Sequence, residues 1–249
     1  MKYRLMFSHL LTLGLLLLIS SCCKENNGPT NPTNGHTTAR FNPNLKYGTM
    51  ADQDGNIYKT IAIGTQVWIA ENLRTTKYRN GEAIPNVTGN AEWASLTTGA
   101  YCYYNNTKDI DSIATFGGLY NWYTVSDSRG LAPKGWHVPT DADWTTLVTF
   151  LGGGDLTLGN SIAGDMLKEV GNAHWYSYPA NNSSGFTALP GGWRNYNNAR
   201  FNYIRSEGVW WSATGVYYAY FFSLDCCASN VFWAINYPQY GYSVRCLRD

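Results

Sequence analysis

The feature of this sequence that most constrains its fold is residues 135–151, where an extended segment turns into a helix. Pro139 keeps the residue before it out of the helical region. Thr140 is a favourable N-cap, Asp143 completes a variant of the capping box, and acidic residues in the first turn suit the helix dipole. Apolar residues then recur at helical spacing, at Trp144, Leu147, Val148 and Leu151. The stretch is therefore predicted to be a structural helix, with Asp141 and Asp143 as capping residues.

The first 21 residues are predicted to be a lipoprotein signal peptide. Lys2 and Arg4 precede an apolar run over residues 10–19, which is too short to cross a bilayer comfortably. Ser20-Ser21-Cys22 then resembles the processing site of bacterial lipoproteins, in which the cysteine receives the lipid. We therefore predict that Cys22 carries palmitate and anchors the protein, because each buried CH₂ group contributes roughly 0.8 kcal/mol. The alternative is an ordinary secretory signal followed by a chance cysteine.

The residues after Cys22 indicate where the protein resides and where its domain begins. Lys24-Glu25 looks like the surface-export signal of Bacteroidetes lipoproteins. This favours an outer-membrane lipoprotein on the cell surface over one that faces the periplasm. Residues 22–45 are rich in Asn, Pro and Thr and nearly devoid of apolar side chains, so they are predicted to be a flexible tether. The domain is then expected to span residues 46–249.

The charge balance argues against nucleic acid as a partner. Removing residues 1–21 takes away Lys2 and Arg4, which leaves 16 basic and 17 acidic residues. Such a balance offers no basic footprint for a phosphate backbone. With 14% charged and 15% aromatic residues, the surface must consist largely of Asn, Thr, Ser, Gly and Tyr, which suits adhesion in the cell envelope.

Within the domain, the apolar pattern predicts short strands and few helices. Residues 57–63 and 66–70 flank the Gly64-Thr65 turn and are predicted to form a hairpin. A first helix is expected at residues 116–125, because Leu119, Trp122 and Tyr123 would share one face of it. The remaining strand candidates are residues 101–104, 209–214, 217–224, 231–236 and 242–247.

Several motifs occur in a fixed order from about residue 50 to the last residue. They lie at residues 54–60, 67–73, 101–106, 118–123, 135–144, 185–194 (Gly-Phe-Thr-Ala-Leu-Pro-Gly-Gly-Trp-Arg), 210–212 and 243–249. As a set they resemble the Fibrobacter succinogenes major paralogous domain. Members of this family are mostly lipoproteins and secreted proteins of Fibrobacteres and Bacteroidetes, and their biochemical function is not established.

The motifs are also similar, more distantly, to the C-type lectin-like fold and its formylglycine-generating-enzyme branch. The similar segments are a Pro-Thr-x-x-x-Trp helix start at 139–144, a Gly-Gly-Trp-Arg turn at 191–194, a Trp-Ser-Ala-Thr strand at 211–214 and Arg-Cys-Leu-Arg at 245–248. This resemblance implies an α+β domain in which two helices pack on a small twisted antiparallel sheet with long loops.

Four cysteines lie in the domain, at positions 102, 226, 227 and 246. An even number in an oxidising envelope favours disulfides, with three pairings open. The family resemblance favours Cys102–Cys246, because both residues sit in family motifs. That bond would close a loop of about 144 residues and contribute roughly 4–5 kcal/mol. Cys226 and Cys227 are either a vicinal disulfide or a pair of thiols.

Aromatic residues crowd the C-terminal half, with Asn and Arg between them. Six are candidates for stacking on a ligand: Tyr196, Tyr203, Tyr217, Tyr218, Tyr237 and Tyr240. Aromatic faces flanked by amides are what a glycan or a protein partner needs. The alternative is that most of these rings are core, as we expect for Trp210, Phe222 and Trp233.

Motifs for catalysis or metal binding are missing from the sequence. The histidines have no metal-ligand spacing, and neither His-Glu-x-x-His, Cys-x-x-Cys nor Gly-x-Ser-x-Gly occurs. Asp52, Asp54 and Asn56 have the spacing of half a calcium loop, but Ile63 occupies the place of its closing glutamate. We therefore expect neither a metal nor a cofactor.

The sequence thus predicts a lipid-anchored cell-envelope protein that acts without catalysis. Its domain is expected to be a binding or adhesion module for a glycan or a protein. Two alternatives stay open. One is an enzyme related to the formylglycine-generating branch, and the other is a purely structural envelope component.

Overall fold

The computed structural model describes residues 31–153, 162–176 and 180–249. The described part is a mixed α and β structure with short helices and mostly antiparallel strands. Its strands are β1 (Gly48–Ala51), β2 (Ile57–Ile63), β3 (Gln66–Ile69), β4 (Tyr101–Cys102), β5 (Leu119–Tyr120), β6 (Trp136–His137), β7 (Trp193–Arg194), β8 (Phe201–Asn202), β9 (Glu207–Gly215), β10 (Ala219–Asp225), β11 (Val231–Asn236) and β12 (Leu247–Arg248). Its helices are α1 (Asn90–Ala94), α2 (Ile110–Phe116), α3 (Trp122–Val125), α4 (Asp141–Phe150) and α5 (Gly164–Leu167), with a 3-10 turn at Tyr104–Asn106.

The largest sheet has the strand order β1-β2-β3-β12-β6. β2 and β3 form the predicted hairpin. β12 comes from the C-terminal end of the chain and lies between β3 and β6, with Leu247 opposite both Trp68 and His137. α4 follows β6 closely and begins with the predicted capping box between Thr140 and Asp143. The sequence pattern at residues 135–151 is therefore confirmed as an extended segment leading into a capped helix.

A second sheet, of order β11-β10-β9, packs against α4 and brings the two sheets into one core. Asp141 is not part of the capping box and contacts this second sheet instead. The Asp141 carboxylate accepts a hydrogen bond from the indole Nε1–H of Trp233 in β11. The start of α4 is thus tied to the edge of the second sheet.

A buried polar hub joins distant segments of the chain. The Asn72 side-chain oxygen accepts from Nε of Arg245 at 2.8 Å and from the indole of Trp210 at 2.9 Å. Arg245 is fully buried and donates further to the carbonyls of Ile69 and Phe186. Buried guanidinium groups are tolerated only when their donors are satisfied, so this hub fixes the register of the closing segment against β3.

The expected first helix at residues 116–125 is wrong. Gly117 has a positive φ of 74° and ends α2, which starts earlier than predicted. Leu119 then pairs with Cys102 in the β4–β5 ladder, and only a single helical turn remains at α3. Leu119, Trp122 and Tyr123 would share one face of a helix, but Gly117 prevents that helix from forming. A residue with a positive φ interrupts a helix.

The expected tether also needs correction, because residues 31–45 pack on the domain. Thr33 Oγ1 donates to Asn56 at 2.9 Å, His36 Nδ1 lies 2.8 Å from the Asp111 carboxylate, and Asn42 donates to the carbonyl of Asn182 at 3.0 Å. Phe41 and Leu45 pack against the core around α4. Residues 31–45 therefore belong to the folded part of the chain, since polar side chains hold a segment that is poor in apolar ones.

The predicted Cys102–Cys246 disulfide is not formed. Both residues are buried free thiols in different hydrophobic clusters. Cys102 lies in β4, and burial raises its pKa to about 12. Cys246 adjoins β3, where its carbonyl accepts from the backbone N–H of Ile69. The two family motifs that carry these cysteines belong to different sheets, which explains the separation.

The predicted signal peptide, Cys22 and the first part of the expected tether lie outside the described residues. Among the helices that the structure describes, none has the length and apolar character needed to cross a membrane.

Candidate functional site

Six aromatic rings form a continuous chain of contacts on one side of the domain, and we call this set the aromatic face. Its members, in order of contact, are Tyr203, Trp193, Tyr240, Tyr196, Tyr237 and Tyr218. Successive ring centroids lie 5.5, 5.6, 5.0, 4.6 and 5.2 Å apart. Such spacings are typical of favourable aromatic pairs. The structure thus brings five of the six predicted tyrosines together.

The aromatic face is accessible to solvent along much of its length. Tyr203, Tyr218 and Tyr237 are 55%, 46% and 43% exposed, and the other three rings are half-buried. These rings are therefore not simply the filling of a core, which was the alternative for them. Trp210 and Phe222 are buried, as expected, and Trp233 is half-buried against the core.

Three short segments present the aromatic face. Trp193 lies in β7 and Tyr196 in the turn that leads to β8. Tyr237 and Tyr240 follow β11, and Tyr218 precedes β10. The β7 segment and the segment after β11 meet through the bridge between Arg194 and Gly241, whose N–H and C=O groups hydrogen-bond in both directions. Tyr218 joins them by its ring contact with Tyr237.

Gly192 permits the close approach of the turn before β7. It has a positive φ of 62°, and a Cβ atom there would meet the carbonyl oxygen of Asn202 and lie 2.7 Å from the backbone nitrogen of Ile204. Only glycine fits such a position. The second glycine of the Gly-Gly-Trp-Arg motif therefore sets where Trp193 emerges.

Arg194 holds β7, and with it Trp193 of the aromatic face, in position through contacts in the interior. Its side chain is fully buried and donates to the carbonyls of Val87 (2.6 Å), Thr88 (2.9 Å) and Ala199 (3.1 Å). Its guanidinium carbon also lies 4.5 Å from the centroid of the Trp93 ring. Because neighbouring strand residues point to opposite faces, Trp193 faces outward where Arg194 points in.

Polar groups line the aromatic face. The side-chain oxygen of Asn195 accepts from the backbone of Asn197 and Asn198, and this turn leaves Asn197, Asn198 and Arg200 exposed.

Two further polar groups belong to rings of the aromatic face. At the Tyr218 end, a hydrogen bond to Tyr237 raises the pKa of the Tyr218 phenol. The Trp193 indole donates to the Glu207 carboxylate at 2.8 Å, while burial raises the pKa of that carboxyl. The site thus combines exposed rings with amide, phenol and guanidinium donors.

Comparison with known proteins assigns the chain to a family. A model of the Fibrobacter succinogenes major domain matches residues 61–248. The chain belongs to that family. No curated protein and no solved structure matches the chain. The match includes every residue of the aromatic face, so this surface is part of the Fibrobacter succinogenes major domain itself.

Two aromatic positions of the domain differ from prediction. Tyr217 lies at the tip of the β9–β10 hairpin, 85% exposed, where it lines a shallow depression with Val216 and Ile235 rather than joining the aromatic face. Trp193 belongs to the face but was absent from the predicted set. Its position next to an arginine in a two-residue strand was the available signal, since alternation places one of the pair outside.

His137, His174 and the aspartate-rich turn at Asp52 form hydrogen bonds within the protein. Asp52 accepts from the backbone N–H groups of Asp54 and Asn56 and from the Tyr58 hydroxyl, so its oxygens already serve the turn. His137 lies 2.7 Å from the Asp249 carboxylate. His174 bonds the buried Glu169 through Nδ1 and Thr38 through Nε2, which holds the N-terminal segment in place.

Proposed function

We propose that the domain is a non-catalytic binding module whose aromatic face binds a glycan. The continuous chain of six rings, three of them exposed and flanked by amides, is the observation that carries this proposal. A sugar ring offers C–H groups to an aromatic ring and hydroxyl groups to amide and guanidinium donors. Tyr237 and Tyr203 supply the exposed rings, and the turn at Asn197 and Asn198 supplies the amides. A binding mode without calcium fits, because these groups need no ion to contact a sugar.

Binding to a glycan array, with calcium and with a chelator, tests the proposal. We expect the purified domain to bind at least one class of glycan equally under both conditions. Replacing Tyr237 by alanine should weaken that binding by about 10- to 30-fold, since it removes an exposed ring that contacts two other rings of the aromatic face.

Tyr217 provides the matched control for this experiment. It is an exposed tyrosine of the same C-terminal half but lies outside the aromatic face, so Tyr217→Ala should leave the affinity unchanged. Equal losses in both variants, or none in Tyr237→Ala, would contradict the assignment of the site. If no glycan binds and a protein is captured through the same rings, the partner is a protein instead. A domain that binds neither would favour the structural alternative.

We further propose that Cys22 carries a lipid that anchors the domain to the outer membrane, facing outward. The apolar run before Ser20-Ser21-Cys22 and the Lys24-Glu25 pair support this. Cys22→Ala is expected to shift the protein from the membrane fraction to the soluble one, because the substitution removes the side chain that would carry the lipid. Fractionation followed by protease treatment of whole cells measures both anchoring and orientation. A variant that stays membrane-bound would refute the anchor.

We also infer that the fold is C-type lectin-like. The capped helix α4, the Gly-Gly-Trp-Arg turn and the closing strand β12 beside β3 support this inference. An experimental structure superimposed on C-type lectin domains tests it, and a different order of strands in the main sheet would refute it.

A further inference from the structure

Two adjacent cysteines and an aspartate meet at the end of β10. The strand ends at Asp225, and Cys226 and Cys227 follow directly. One carboxylate oxygen and the two Sγ atoms all lie within 4.8 Å of one another. Cys227 is exposed and Cys226 is buried, so this group sits at the surface with one side closed by protein. β10 spans seven residues, so the group lies roughly 20 Å along the strand from Tyr218. It is closer to the other end of the aromatic face, because Asp225 pairs with Glu207, which accepts from the Trp193 indole.

The backbone holds these side chains in position. The Cys226 N–H donates to the carbonyl of Ser206 at 2.7 Å, which continues the pairing of the sheet. The Cys227 N–H donates to one oxygen of the Asp225 carboxylate at 2.8 Å. The backbone and the Asp225 carboxylate are therefore held in place beside the two sulfurs.

A lysine side chain lies at the same end of β10 as the two cysteines. The Lys168 ammonium group is buried nearby and donates to the carbonyl of Ala228. A cation close to a cysteine stabilises its thiolate, which is the form that binds metals.

We propose that Asp225, Cys226 and Cys227 bind one thiophilic divalent metal ion of the zinc type. Thiolate and carboxylate are both established zinc ligands, with metal–ligand distances of about 2.3 and 2.0–2.2 Å. Binding replaces two S–H bonds by two metal–sulfur bonds and releases two protons to solvent, without any change of oxidation state. The fourth tetrahedral position is left to water.

The charge of the three groups suits a divalent ion, and one side chain must move to hold it. Two thiolates and the Asp225 carboxylate carry three negative charges, which the ion and the Lys168 ammonium neutralise together. On a tetrahedral ion the two sulfurs stand about 3.8 Å apart, given metal–sulfur bonds of about 2.3 Å. The two Sγ atoms lie 2.6 Å apart in the structure. The exposed Cys227 side chain must therefore turn outward when the ion binds.

Zinc titration of the reduced full chain tests this site. The protein is reduced with a phosphine, desalted without oxygen and titrated with Zn²⁺ against a chromophoric chelator. We expect one ion per chain. Cys227→Ser should lower the affinity more than about 100-fold, which exceeds the 10- to 100-fold effect typical of losing an outer-shell partner. Asp225→Asn should lower it by about tenfold, because an amide is a weaker ligand than a carboxylate.

Cys102→Ala is the matched control, since Cys102 is a thiol of the same domain in another cluster. Its affinity for Zn²⁺ should equal that of the wild type. Titration with Cd²⁺ adds a direct readout, because sulfur-to-metal charge-transfer absorption appears only when thiolates coordinate, and Cys227→Ser should reduce it. Reduced wild type that binds no ion, or Cys227→Ser that binds zinc as tightly as wild type, would overturn the proposal.

Discussion

Replacing Arg194 by methionine is expected to lower the free energy of unfolding by at least about 3 kcal/mol. The guanidinium group satisfies the carbonyls of Val87, Thr88 and Ala199 in the interior. Methionine fills much of the same volume but offers no donors. Each buried carbonyl that loses its partner costs about 1–3 kcal/mol. In a domain of this size the melting temperature should fall by about 6–12 °C.

Chemical denaturation monitored by circular dichroism measures this loss. Arg200 is the control, because it is an exposed arginine in the turn that follows β7. Arg200→Met should change the stability by less than about 0.5 kcal/mol. If Arg194→Met were as stable as the control, the loops of Val87 and Ala199 would have to be held by other contacts. Arg194 would then not be the anchor of the aromatic face.

Local sequence patterns predicted those elements whose signals are local. The hairpin of β2 and β3 is fixed by alternation around a two-residue turn, and α4 is fixed by its capping box and apolar face. β12 shows the limit of such patterns. It forms between β3 and β6, and nothing near Leu247 indicates which strands it will pair with. That choice depends on Arg245, whose buried donors need carbonyls from Ile69 and Phe186.

The aromatic face could be predicted as a set of residues but not as an arrangement. Composition and spacing identified Tyr196, Tyr237 and Tyr240 as candidates, yet ring contacts depend on how the loops after β7 and β11 meet. That meeting rests on the bridge between Arg194 and Gly241. Tyr217 shows the consequence, since it is next to Tyr218 in sequence but lies at a hairpin tip.

The two larger errors have a common physical origin. Residues 31–45 looked unable to pack because they are poor in apolar side chains, but Thr33, His36 and Asn42 are held by hydrogen bonds instead. Cys102 and Cys246 looked like a pair because both lie in family motifs, but each is buried as a small apolar side chain. In both cases the outcome depends on partners that are distant in sequence.

The second large effect is expected at Trp144, the first large apolar residue of α4. Its ring stacks on Phe222 at 4.8 Å and also contacts Trp68 at 5.0 Å and Phe186 at 5.9 Å. Its indole nitrogen has no hydrogen-bond partner among the described residues, so truncation removes packing rather than a polar contact. Trp144→Ala should therefore cost about 3–5 kcal/mol, the usual penalty for deleting a buried large aromatic side chain.

Phe150 on the same helix is the control for this test. It distinguishes the loss of buried packing from a change in the helix propensity of α4. It is 62% exposed, so Phe150→Ala should change the free energy of unfolding by less than about 1 kcal/mol while making the same change of residue class. Denaturant titrations of both variants give the comparison. Equal effects would mean that α4 is stabilised by its capping box and propensity alone. A large loss confined to Trp144→Ala would mean that the helix joins the main sheet to the second sheet by its apolar face, because Trp68 and Phe222 belong to different sheets.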